Sequence, residues 1–168
     1  ARRASKAGLS IGPMTGADVD AVGRLQIAGG QTAFIGTRCA QVKAERLEFG
    51  VNDVLDLAGR FCPSTEPLLT LGAGDWRLHG RGEGISAAVP SFQVKVPDAA
   101  GAVDFGLVKG ALYADMTGLA GTLADGAPQS RFNPIRVAGK ATLARDVWTA
   151  DIDGRTPGGV ALGKARLN

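Results

Sequence analysis

The chain has 168 residues, 45% of them apolar, and a formal net charge of +3. That length suits one domain with a core of its own, and the composition excludes a disordered chain. Glycine is frequent at 25 residues but follows no three-residue period, which excludes collagen and reads as turns and bulges between strands.

Taken in chain order, the dominant period is two. Between Asp18 and Ile27 the odd positions are Val19, Ala21, Gly23, Leu25 and Ile27, while Asp18, Asp20, Arg24 and Gln26 alternate with them. Such alternation puts one set of side chains on one face of a pleated strand. The predicted strands are 18–28, 31–36, 40–49, 53–61, 75–83, 85–96, 102–108, 111–118, 134–144 and 147–153, with a last one at 160–167. The cleanest pattern is in 75–83, where Trp76 and Leu78 alternate with Asp75, Arg77 and His79. Phe92, Val94 and Val96 repeat it, as do Trp148 and Ile152 further on. Turn signals at Ala28-Gly29-Gly30, Pro97-Asp98, Asp125-Gly126, Asp153-Gly154 and Pro157-Gly158-Gly159 recur at a spacing typical of all-β architectures. Val51 to Ala58 also fits one short amphipathic helical turn, but strand is preferred because it leads into Cys62. The segment 62–74, with Pro63 and Pro67, reads as a soft joint within a single β-rich unit spanning 1–168.

Cys39 and Cys62 are the only cysteines. No second pair and no histidine cluster completes a zinc site. Two readings stand: a structural disulfide, which is preferred, and two buried thiols. A disulfide closing this loop is worth about 3 kcal/mol and implies an oxidising compartment such as a bacterial periplasm. No apolar run approaches the ~20 residues needed to cross a bilayer as a helix. No signal peptide is visible, and the first residue is Ala1. The expectation is an internal piece of a larger protein, with any anchor outside it.

Catalytic constellations are missing. His79 is the only histidine and falls on a polar strand face between Arg77 and Arg81, so a surface role is expected. Gly80-Arg81-Gly82-Glu83-Gly84 is followed by Ile85-Ser86, without the lysine of a phosphate loop. The pairs Asp18/Asp20 and Asp151/Asp153 share wet strand faces, where carboxylates keep ordinary pKa values, and Asp151-Ile152-Asp153-Gly154 lacks the later ligands of a calcium loop. No metal or cofactor is expected. Basic residues alternate with acidic ones, as in Lys43 to Glu48, and the aromatics are scattered singly, so no nucleic-acid partner is expected.

A sheet with one apolar face must cover it, by a second sheet, by closure into a barrel, or with a greasy ligand. Aliphatic lining suits acyl chains, which gain about 0.8 kcal/mol per buried methylene with little directional bonding. An ordinary sandwich core explains the same composition.

Several stretches resemble one known family. They are Cys39-Ala40-Gln41, the strand Val42 to Phe49, and a second strand ending at Phe61-Cys62-Pro63. Asp75 to Gly80, Ala111 to Gly121, Phe132 to Gly139 and Asp146 to Thr149 extend the likeness in fragments from Thr37 to Asn168. The pattern resembles the YdbH-type proteins of the AsmA-like bacterial envelope group. That resemblance implies a protein anchored in the inner membrane of a Gram-negative cell and reaching through the periplasm as a long β-groove. It implies phospholipid as cargo between the inner and outer membranes. The remainder of the parent protein and a small outer-membrane lipoprotein would be partners. It carries no catalytic residues.

The expected fold is therefore all-β: an elongated, twisted, mainly antiparallel sheet forming a half-open trough, with a β-sandwich as the alternative. The candidate lipid-groove residues are Leu25, Ile27, Trp76, Leu78, Phe92, Val94, Val96, Phe105, Leu107, Trp148 and Ile152. Each fits a groove wall or an ordinary core. Cys39 and Cys62 would tie adjacent strands. The expected function is non-enzymatic lipid transfer; a structural or adhesive β-domain of a surface protein is the runner-up, and a carbohydrate-active enzyme using acidic pairs the third reading.

Overall fold

The structure, a computed structural model, describes residues 9–11, 14–49, 52–144, 147–157 and 161–167. Its strands are β1 (Leu9–Ile11), β2 (Met14–Asp20), β3 (Gly23–Ala28), β4 (Gln31–Gly36), β5 (Ala40–Phe49), β6 (Asn52–Cys62), β7 (Leu69–Gly72), β8 (Asp75–Val89), β9 (Val94–Val108), β10 (Ala111–Asp125), β11 (Ile135–Ala144), β12 (Val147–Arg155) and β13 (Ala161–Leu167). A single 3-10 turn, Pro90–Phe92, links β8 to β9. The fold is all-β, one antiparallel sheet that does not close into a barrel, as the alternation predicts.

The main path runs β1-β2-β5-β6-β8-β9-β10-β11-β12-β13, and a side branch runs β3-β4-β7-β8. Strand β8 makes the fork. Along one edge its first residues pair β7, from Leu78↔Leu69 to Asp75↔Gly72, and its later ones pair β6, from Arg81↔Cys62 to Ala88↔Leu55. Its other edge belongs to β9. Two-residue turns drive the tight hairpins. Ala73-Gly74 and Lys109-Gly110 hold positive φ at both positions, the twist-compatible geometry that favours glycine at the second.

The packed part lies at the fork. Ala40, Phe61 and Leu68 are buried there, with Phe34, Val42, Leu78 and Val103 against them. Phe61 reaches across the sheet over Gly80, where a Cβ would stand 2.8 Å from its ring. Thr37 ties the branch to the main path, donating from both its amide and its hydroxyl to the carbonyl of Val22, at 2.9 and 3.1 Å.

Three predicted elements change. The strand expected over 18–28 is two, broken at Ala21-Val22. The strand expected over 85–96 is the end of β8 and the start of β9, reversed at Pro90–Phe92. The stretch 62–74 contains β7, and Leu68 within it is buried. Two expected turns lie inside strands, Pro97-Asp98 in β9 and Asp153-Gly154 in β12. Gly158-Gly159 lies outside the described residues.

Candidate functional site

Residues paired across an antiparallel ladder point to the same face. One row across the sheet therefore joins Leu25, Phe34, Leu69, Leu78, Phe105, Ala114, Leu143 and Trp148, from β3 to β12. A parallel row joins Ile27, Thr32, Leu71, Trp76, Leu107 and Leu112. A third joins Gly80, Val103, Met116, Ala141 and Ala150. The register thus gathers side chains far apart in sequence into one apolar face.

Ten of the eleven candidate groove residues sit on strands. Ile152 shares the face of Ala150 and lies over Gly139, where a Cβ would stand 2.9 Å from its Cδ1. Val94 and Val96 pair Val89 and Ala87 at the far end of the β8–β9 hairpin. The nearby Ile85 leans on Gly82, which keeps that end on the apolar face. Phe92 stands apart: it belongs to the 3-10 turn and is exposed. Trp76 and Phe105 meet edge to face, ring centres 5.1 Å apart, which fixes two of the largest side chains on the face.

The face is exposed at both ends: Ile27 is 73% exposed, Leu25 65% and Trp148 41%, and among the described residues no large side chain is fully buried. Trp76, Leu78, Phe105, Leu107 and Ile152 are half-buried, and Phe34, Leu78 and Val103 pack against the buried Ala40, Phe61 and Leu68. Phe34, Leu69, Leu71, Leu112 and Leu143 belong to the rows and were not singled out from the sequence. The Leu69-Thr70-Leu71 alternation is a short signal masked by the prolines and glycines around it.

The opposite face is polar and partly cross-linked. Arg77 grips Asp104 with two hydrogen bonds of 2.7 and 2.6 Å and reaches Glu66 at 2.8 Å. The Tyr113 hydroxyl donates to Asp104 at 2.8 Å. The Arg77 hydrogen bonds hold the Asp104 carboxyl below the usual carboxylate range, and Asp104 in turn keeps Arg77 more firmly charged. Burial, then the hydrogen bond to Asp104, pushes the Tyr113 phenol up. His79 is half-buried rather than on the open surface expected of it. Its Nδ1 is enclosed, makes no hydrogen bond, and lies 3.7 Å from Asp104 Oδ2. The cross-strand carboxylate that shelters it is remote in sequence.

Further along, Asp125 accepts hydrogen bonds from the Arg131 backbone and guanidinium and from the Ala127 amide. Arg131 also donates to the Gln93 carbonyl at 3.0 Å, pinning the loop after β10 to the turn between β8 and β9. Arg131 holds the Asp125 carboxyl well below its ordinary value.

Cys39 and Cys62 form a disulfide, one rung beyond the Ala40↔Phe61 pair. The bridge points to an oxidising, extracytoplasmic compartment. It also uses up the two sulfurs that, with Glu83, bring ligand atoms within 4.8 Å of one another, so that grouping offers no thiolate to a metal. Among the described residues no helix is long and apolar enough to cross a membrane. Compared with known proteins, the chain matches no family model, no curated protein and no solved structure.

Proposed function

We propose that this chain is a periplasmic segment of an intermembrane lipid conduit, non-catalytic, in which phospholipid acyl chains rest on the apolar sheet face. One observation carries the reading: contiguous apolar rows in register across the sheet, with large side chains left exposed at Leu25, Ile27, Leu71, Leu112 and Trp148. Exposed apolar patches of this extent mark interaction surfaces. Strands repeat at about 4.8 Å, so the seven steps from β3 to β12 cover about 34 Å along the ladders, roughly twice the ~15 Å depth of one bilayer leaflet. That is room for an extended acyl chain to lie across the strands and move from row to row without breaking a directional bond. The disulfide fits the oxidising space between two membranes. The likeness to YdbH-type proteins, noted above on the cysteine-framed segment, suggests phospholipid as the cargo and the rest of an inner-membrane-anchored parent protein as the immediate partner. A small outer-membrane lipoprotein would stand at the far end.

The test is a photocrosslinking residue in place of Leu78 or Phe105, at the middle of the face, and another in place of Thr149 on the polar face. Lipid adducts at the first two and none at the third are expected by mass spectrometry from envelope extracts. Adducts at none of them, with the protein folded, would sink the lipid reading and leave a structural β-domain.

A further inference from the structure

The sheet also carries an open hollow on its polar face, away from the apolar rows. It is a cavity of about 740 Å³ formed by β9, β10, β11 and β12. Two ladder rows build it. The floor is Ala100, Ala120 and Ala138, paired in sequence across three strands and ending at Asp153. Three methyl groups in line leave a trough that longer side chains would fill. The neighbouring row is Asp98, Thr122, Arg136 and Arg155, likewise paired in order.

That second row ends in two arginines directly opposite each other. Cross-strand partners hold their Cβ atoms about 4.5–5.5 Å apart, and like charges there destabilise the sheet. A structure can relieve such a pair with a carboxylate between them. Here no ion pair or hydrogen bond joins either guanidinium to another described residue, although Asp98 lines the same cavity. The arginines bring ten N–H donors to one side of a trough floored by methyl groups. Planar guanidinium forks match tetrahedral oxyanions two bonds at a time. Asp98 stands at the other end of the arginine row, placed for a cationic group on the same ligand.

The geometry points to a binding site for a phosphate group, held between Arg136 and Arg155, with the rest of its ligand on the alanine floor. The chemistry is shared by free phosphate and by the phosphodiester of a zwitterionic lipid headgroup. The site is independent of the lipid reading, since it lies on the other face of the sheet and uses none of its residues.

Thermal melts and amide NMR spectra of the full chain, at constant ionic strength, test it with inorganic phosphate and with glycerophosphoethanolamine, chloride being the control. Saturable shifts are expected at the amides of Thr122, Arg136 and Arg155, together with a phosphate-dependent rise in melting temperature. Arg136→Gln and Arg155→Gln should each weaken binding by at least tenfold, as loss of a charge-assisted pair does. Both variants should melt no lower than the parent in chloride alone, because the like-charge pair is gone. Tighter binding of glycerophosphoethanolamine assigns the site to a headgroup, and tighter binding of inorganic phosphate assigns it to the free ion. Shifts that do not saturate, that spread evenly over all basic residues, or that survive both glutamine variants overturn the proposal.

Discussion

The fork around β8 and the blade from β10 to β13 are built of the same strands but are stabilised differently. At the fork, three ladders converge, a disulfide locks one rung, and Phe61 lies over Gly80 among buried neighbours. In the blade the described buried side chains are Ala114, Ala141 and Leu143, and the rest is a single layer held by its ladders. A sheet does not need a second layer along its whole length if one region supplies a nucleus. The layer beyond that nucleus is then free to keep an apolar face uncovered.

The largest test of this contrast is Phe61→Ala. Among the described residues Phe61 is the one buried aromatic, and a loss of about 3–5 kcal/mol is expected in denaturant unfolding. Replacing both cysteines with serine comes next. The bridge spans a sequence separation of 23 residues, and about 3 kcal/mol should be lost, with amide exchange rising in β5 and β6 more than in β11 and β12. Equal acceleration in both regions would show that the fork does not stabilise the sheet preferentially. Gly80→Ala should cost about 1–3 kcal/mol, because the new methyl would meet both the Phe61 ring and the Cys62 carbonyl.

A smaller effect is expected of Asp104→Asn, about 1 kcal/mol at neutral pH, since half-exposed Arg77 is screened by solvent. Here the pH dependence carries the information. The Asp104 pKa is depressed in the folded protein, so its contribution is complete above the ordinary carboxylate value near 4 and is lost as pH falls through the depressed one. The gap in melting temperature between parent and variant should therefore narrow steadily as pH falls below about 4. The smallest effect is Leu25→Ala, within about 0.5 kcal/mol, because that side chain is already 65% exposed. A large loss there would mean the apolar face is packed shut.

The faces were legible in the sequence, and the neighbours were not. Strands 31–36 and 40–49 appear with the predicted bounds because Gly29-Gly30 and Cys39 frame them. The reversal at Pro90–Phe92 leaves only a slip of phase in the sequence. Ile85, Ala87 and Val89 are odd while Val94 and Val96, which pair Val89 and Ala87, are even, and the turn between them has no glycine and bends at Gln93, φ 51°. The break at Ala21-Val22 is silent, since both sides keep odd residues on the apolar face. Period two fixes which side a residue takes but says nothing of which strand lies beside it. The pairing of Arg136 with Arg155, and the shelter of His79 beside Asp104, are properties of register and could not be read from either segment alone.

The divided edge of β8 has a mechanical consequence. An unbranched ribbon has two rims, whereas here, among the described strands, β1, β3 and β13 each have a single neighbour. Tension entering through β13 reaches β8 along one line of ladders and leaves along two. Each branch would then bear only part of the load, and the cystine stands beside the point where the force divides. A molecule stretched between two anchors would yield first at the thin side of that junction, in the short ladder of β7, while the bridged side held.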